Sequence, residues 1–216
     1  METVISDDVL AELRERVKPY LTDQRYLHTL EVEEEAARIG AIYLPEKIPA
    51  LRAAALLHDI TKRLSFEKQL QCCEEFGIMM RKSDFLSPKP LHAMTAPAVA
   101  ARDFADIVND EILSGIRWHT TGHDRMTVFE SIVYLADFIE PSRTFDDCIA
   151  LRSFFWGSFP EEGGMREKTL HLCRTMVYSF DMTLRSLIDG GEPIAEDTVL
   201  ARNCFLERMS VLQQDG

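Results

Sequence analysis

Apolar residues recur along this chain at alternating steps of three and four, and no segment alternates with a period of two. Ser6 stands where an N-cap belongs, ahead of Val9, Leu10, Leu13 and Val17 on one stripe, and Pro19 helps to stop this first helix. The same spacing predicts helices over 22–42, 49–61, 66–80, 90–106, 110–119 and 127–140. In the last of these, Thr127 and Glu130 have capping-box spacing. After a loop around 157–164, Leu170, Cys173, Val177, Phe180, Leu184 and Leu187 mark a long amphipathic helix that ends at Gly190-Gly191. Asp197 or Thr198 then opens a final helix. The expected fold class is all-α, with a bundle over 1–144 and a C-terminal helical extension over 145–216 packed on it.

Composition narrows the class without changing that picture. The 216 residues are 46% apolar and 28% charged, with no low-complexity tract, as in a globular domain. The acidic, amphipathic start "METVISDDVLAELRERV" is unlike a targeting peptide, and no apolar run approaches the roughly 18 residues that span a bilayer. A cytoplasmic protein is therefore expected. Cys72, Cys73, Cys148, Cys173 and Cys204 have no ligand-like spacing and are expected to be buried reduced thiols. A net charge of −12 argues against a large nucleic-acid or anionic-membrane surface. It leaves room for a small phosphorylated ligand, because bound cations reverse the field locally.

The apolar stripes carry polar intruders. His28 shares a face with Val32, Ala36 and Ile39, and His58 follows Leu51 and Ala54 or Ala55. His92 lies above Ala96 and Val99, His119 follows Ile112 and Ile116, and Asp137 follows Phe129 and Val133. Asp59, beside His58, is the sixth such group. One histidine on an apolar face is ordinarily a hydrogen-bonded core residue, and a lone His-Asp dipeptide is a weak motif. A second pair, His123-Asp124 in "TTGHDRM", sits beside a glycine and off any stripe, and reads as a solvated loop. Four histidines and two aspartates converging on one core are harder to satisfy by hydrogen bonds alone. Imidazole with carboxylate suits Fe, Mn, Co, Ni or Zn, and six ligands suit two metals that share a carboxylate.

The order H…HD…H…H…D, here His28, His58-Asp59, His92, His119 and Asp137, resembles the HD-domain superfamily of metal-dependent phosphohydrolases. "RYLHTLEV" (25–32), "ALLHDITK" (55–62), "WHTTG" (118–122), "YLADFIEPSR" (134–143) and "EDTVLARN" (196–203) narrow the resemblance to the YqeK-like branch, the bacterial symmetrical bis(5'-nucleosyl)-tetraphosphatases. The resemblance implies an HD-domain helical bundle around a dinuclear centre, usually containing iron. By that resemblance Asp59 bridges the ions, His28, His58 and Asp137 hold one, and His92 and His119 hold the other. The segment "LRSFFWGSFPEEGG" (151–164) matches the family least well but is expected to touch no ligand.

The reaction implied is attack by a metal-bound hydroxide on an inner phosphorus of diadenosine tetraphosphate, giving two ADP. Lys62 lies four residues after His58, on the same face if the helix continues, and is a candidate to hold phosphate or assist the leaving group. Thr120, Thr121 and Gly122 could cradle phosphate, with a plain turn as the alternative. Arg143 has a fork suited to phosphate. Arg25 could reach phosphate or pair with a nearby acid such as Glu140. "EVEEEAAR" after His28 reads as a solvated acidic face. The partner implied is a small nucleotide substrate, with no nucleic acid and no membrane, and a homodimer is an allowed assembly. Two other readings stay open: a different HD phosphohydrolase, acting on nucleoside mono- or triphosphates or a cyclic dinucleotide, and a nucleotide-binding regulator without turnover.

Overall fold

The side chain of Ser6 accepts the Val9 N–H at 3.3 Å, and the helix it opens, α1 (Asp7–Val17), buries Leu10, Leu13 and Val17. The computed structural model describes residues 5–214. The outermost residues of both expected segments, 1–4 and 215–216, and the start of the sequence read against a targeting peptide, lie outside the described residues. The chain continues through α2 (Asp23–Tyr43), α3 (Ile48–Leu57), α4 (Phe66–Glu75), α5 (Lys82–Leu86), α6 (Leu91–Asp103), α7 (Asp110–Trp118) and α8 (Val128–Ile139). It ends with α9 (Asp146–Gly157), α10 (Met165–Asp189) and α11 (Glu196–Gln214). There is no strand among the described residues. Thr127 and Glu130 form the capping box that their spacing implies.

The middle of the bundle is α3. Leu51, Ala53, Ala54, Ala55, Leu56 and Leu57 are all fully buried, because α1, α2, α7 and α8 surround the helix. Its alanines, and Gly40 on α2, permit that approach; a Cβ at Gly40 would lie 2.6 Å from Leu51 Cδ1. The extension belongs to the same core. Leu151, Phe155, Leu172, Met176, Phe180, Ala201 and Phe205 are buried in one cluster with the residues of α1–α8. No helix of the described residues is long and apolar enough to cross a membrane.

Several local expectations are corrected. The helix expected over 49–61 ends at Leu57, and residues 58–64 turn, with Lys62 N–H to Asp59 C=O at 2.9 Å and Leu64 N–H to Thr61 C=O at 3.0 Å. The Ala55 carbonyl at that end is taken by the His58 ring rather than by a further helical turn. The unexpected α9 buries Cys148, Leu151 and Phe155, a helical stripe blurred in the sequence by Ile149, Phe154 and Trp156 beside it. "EVEEEAAR" is no solvated face throughout. Glu33 is buried between Arg14 (2.6 Å) and Arg52 (2.9 Å), and buried Glu35 accepts from Trp156 Nε1 at 2.5 Å. All five cysteines are free thiols, but Cys72 and Cys204 are only half-buried.

Candidate metal centre

Four helix ends deliver the four histidines. His28 stands in the second turn of α2, His58 and His119 at the C-terminal caps of α3 and α7, and His92 in the first turn of α6. Their rings form a row, His28–His58–His119–His92, with successive centroids 5.6, 4.9 and 5.0 Å apart.

Each ring is held by its Nδ1. That atom lies 2.6 Å from the Ala55 carbonyl in His58, 2.7 Å from the Ile116 carbonyl in His119 and 2.8 Å from the Lys89 carbonyl in His92. In His28 it lies 3.0 Å from Glu140 Oε1. A carbonyl or carboxylate can only accept, so each Nδ1 carries a proton, and in a ring that stays neutral Nε2 is then a bare lone pair.

All four Nε2 atoms converge on Asp59 and Asp137. His28 Nε2 is 3.0 Å and His58 Nε2 3.7 Å from Asp137 Oδ1. His58 Nε2 is 3.5 Å from Asp59 Oδ2, while His92 and His119 Nε2 lie 3.2 and 3.7 Å from Asp59 Oδ1. The Nε2 atoms of His92 and His119 are 3.0 Å apart. Electron pairs thus face electron pairs with too few protons between them. Accordingly His58 Nε2 and Asp59 Oδ1 are buried without a hydrogen bond, while His28 Nε2 has the Asp137 carboxylate beside it.

Protonation follows the same logic. Burial pulls His119 down to about 4 and lowers His92 despite Asp59, which keeps both rings neutral as ligands must be. Burial also opposes a charge on His28, but Asp137 and Glu140 outweigh it and raise the ring to about 9. Burial would raise Asp59, yet His58, His119 and His92 hold it well below the usual carboxylate range. The centre attracts positive charge. A divalent cation fits it, with two trios whose ligand atoms lie within 4.8 Å of one another: His28, His58 and Asp137, and His58, Asp59 and His119. His58 belongs to both.

The remaining candidates fall into two groups. Lys62 Nζ reaches the centre although its helix has ended, 2.9 Å from His92 Nε2 and 3.9 Å from Asp59 Oδ1. Arg25 pairs with Asp59 Oδ2 at 2.9 Å rather than with Glu140, which His28 and Ser142 occupy. Arg143 pairs with Asp137 at 2.5 Å, and Thr120 Oγ1 is 3.3 Å from His92 Nε2. Thr121 and Gly122 make structural contacts. The Thr121 hydroxyl is buried on the Gly122 carbonyl, and Gly122 packs at φ +62° against Met126, Phe180 and Ala201.

The control pair behaves differently from a solvated loop. Asp124 is exposed, but His123 is half-buried, bonded to Glu130 at 3.1 Å and 4.5 Å from the Trp118 ring. Sequence reasoning missed two supports. Arg152 on α9 donates to the carbonyls of Ile139, Glu140 and Arg143, so the poorly matching 151–164 segment does brace the centre. Thr61 donates to the His92 carbonyl at 3.0 Å and lies 2.9 Å from Thr95, which donates to Gln69. The only sequence signal for either is a polar residue set among apolar ones.

The HD domain family model matches residues 25–142. The chain is 30% identical to "Bis(5'-nucleosyl)-tetraphosphatase, symmetrical" of Halalkalibacterium halodurans, over 88% of this chain and 93% of that protein. It is 28% identical to the protein of the same description from Bacillus subtilis, over 87% and 92%. A crystal structure from Clostridium acetobutylicum, described as that of a "predicted HD superfamily hydrolase involved in NAD metabolism", superposes with a TM-score of 0.78. That chain is 30% identical, with 92% of this chain and 97% of the other covered.

Proposed function

This chain belongs to the HD-domain family, on its symmetrical bis(5'-nucleosyl)-tetraphosphatase branch, and from that membership we propose a dinuclear-metal hydrolase that splits diadenosine tetraphosphate into two ADP. The observation that carries the metal part is the row of four imidazoles, each anchored through Nδ1 and each turning Nε2 on two carboxylates. In this reading His28, His58 and Asp137 hold one ion, His92 and His119 the other, and Asp59 lies between them. Iron is the first choice of metal, with Mn, Co, Ni or Zn as alternatives. Two such ions, when bound, supply hydroxide at neutral pH and neutralise charge on the transferred phosphoryl group.

The chain's own groups do the rest. Arg25 and Arg143 place two fixed positive charges beside Asp59 and Asp137, where phosphate oxygens would lie. Thr120 offers a hydroxyl at the far end of the row. Water oxygen bonds to an inner phosphorus, the central bridging P–O bond breaks, and the departing ADP keeps the electron pair and takes a proton. Lys62 Nζ, half-buried beside Asp59 and His92, holds a proton close to that oxygen.

Hydrolysis in ¹⁸O-water tests this reading. The expected product is ADP alone, with label on one of the two molecules from each cleavage. ATP plus AMP, or phosphate release from AMP with no dinucleotide turnover, would overturn it.

A further inference from the structure

Two clefts open at the two ends of the histidine row, and no residue lines both. One, about 310 Å³, takes His28 into its wall with Gln24, Arg25, Arg143 and Phe145. The other, about 270 Å³, takes His92 into its wall with Lys62, Phe66, Gln69 and Lys89. The first is at the small end of the range for organic ligands, which begins at about 300 Å³, and the second lies just below it.

The two clefts share a chemistry. Each holds one aromatic ring left open to solvent, Phe145 at 70% and Phe66 at 39% exposure, whereas Phe104, Phe129, Phe155, Phe180 and Phe205 are buried. Each is also lined by two cations: Arg25 and Arg143 in one, Lys62 and Lys89 in the other, with Lys89 tied at the rim to Glu192. An exposed aromatic face beside paired cations suits a base followed by a diphosphate.

We infer that the histidine row is the midpoint of one extended dinucleotide site, with one nucleoside half stacked on Phe145 and the other on Phe66. This rests on the tetraphosphate reading above and gives it a physical basis for symmetry. With one adenosine and its two nearest phosphates anchored in each cleft, the central bridging oxygen is the one left over the row. A mononucleotide fills one cleft only and gains half of the anchoring.

Calorimetric titration of the metal-loaded protein with ADP tests the inference without turnover. About two ADP should bind per wild-type chain, and about one in either Phe66→Ala or Phe145→Ala. In the same variants the KM for diadenosine tetraphosphate should rise on the order of tenfold, as for loss of one base stack, with kcat nearly unchanged. Phe66→Tyr and Phe145→Tyr should restore both, since they keep the ring. ATP and AMP as products would sink the tetraphosphate reading itself. With ADP the sole product, a single ADP site in the wild type, or an unchanged KM in Phe66→Ala, would overturn the two-cleft assignment alone.

Discussion

Nδ1 of His28 lies 3.0 Å from Oε1 of Glu140, and Ser142 grips the same carboxylate through its N–H at 2.5 Å and its hydroxyl at 2.8 Å. Glu140 therefore sets the tautomer and the aim of a ring whose other nitrogen faces Asp137. A partner of this kind is worth about 10–100-fold in metal affinity. Glu140→Ala should lower affinity by that order in a chelator competition, with Glu140→Gln between it and wild type. Equal affinities in all three would remove Glu140 from the support of the centre.

Arg152 braces the same loop from α9. Its guanidinium donates to the Ile139 carbonyl at 2.6 Å, to Arg143 at 2.8 Å and to Glu140. A lysine ammonium lacks the planar fork needed to serve these carbonyls together. Arg152→Lys should keep its metal and lose kcat/KM on the order of tenfold, about 1.4 kcal/mol, because Arg143 is no longer held over Asp137. Full activity in that variant would mean that the loop holds its shape without the brace.

The inward placement of the candidate residues is legible because helical periodicity alone decides which side chains point inward. Val32, Ala36 and Ile39 beside His28, and Ile112 and Ile116 before His119, are all fully buried as that spacing requires. Pairings between distant segments were not legible. Arg25 meets Asp59 across 34 positions and Glu35 meets Trp156 across 121, and neither carries a local signal. Buried Glu33 looked solvated for the same reason, since its arginines come from α1 and α3. The α3 end was misjudged because His58 spends its ring on the Ala55 carbonyl, which periodicity does not see.

Gly122 separates a packing role from phosphate binding. At φ +62° a Cβ would meet Met126 Sδ at 2.6 Å, Ala201 Cβ at 2.8 Å and Phe180 Cζ at 2.9 Å. Gly122→Ala combines backbone strain with overpacking, each costing about 1–3 kcal/mol. A clear fall in Tm is expected, read by thermal unfolding. An unchanged Tm with a raised KM would instead return Gly122 to the phosphate site.

His171 lies away from the centre, with Nε2 2.8 Å from the Phe155 carbonyl and its ring stacked on Phe154 and Phe155. Burial lowers its pKa below 6.5. The unfolded chain then binds the proton more readily, so stability is full above that value and declines as pH falls below it. His171→Gln, which cannot titrate, should show a shallower loss between pH 7 and pH 5 in urea unfolding. An identical slope would show that this ring does not contribute to acid sensitivity.

The central claim, a two-metal centre bridged at Asp59, is tested most directly by elemental analysis of gently purified protein alongside two aspartate variants. Wild type should carry about two transition-metal ions per chain. Asp59→Ala should lose both metal and activity, because its two oxygens face the His58, His92 and His119 lone pairs. Asp124→Ala, an exposed change in the other His-Asp pair, should match wild type. A metal content near zero with activity intact, or equal losses in the two variants, would contradict the centre described above.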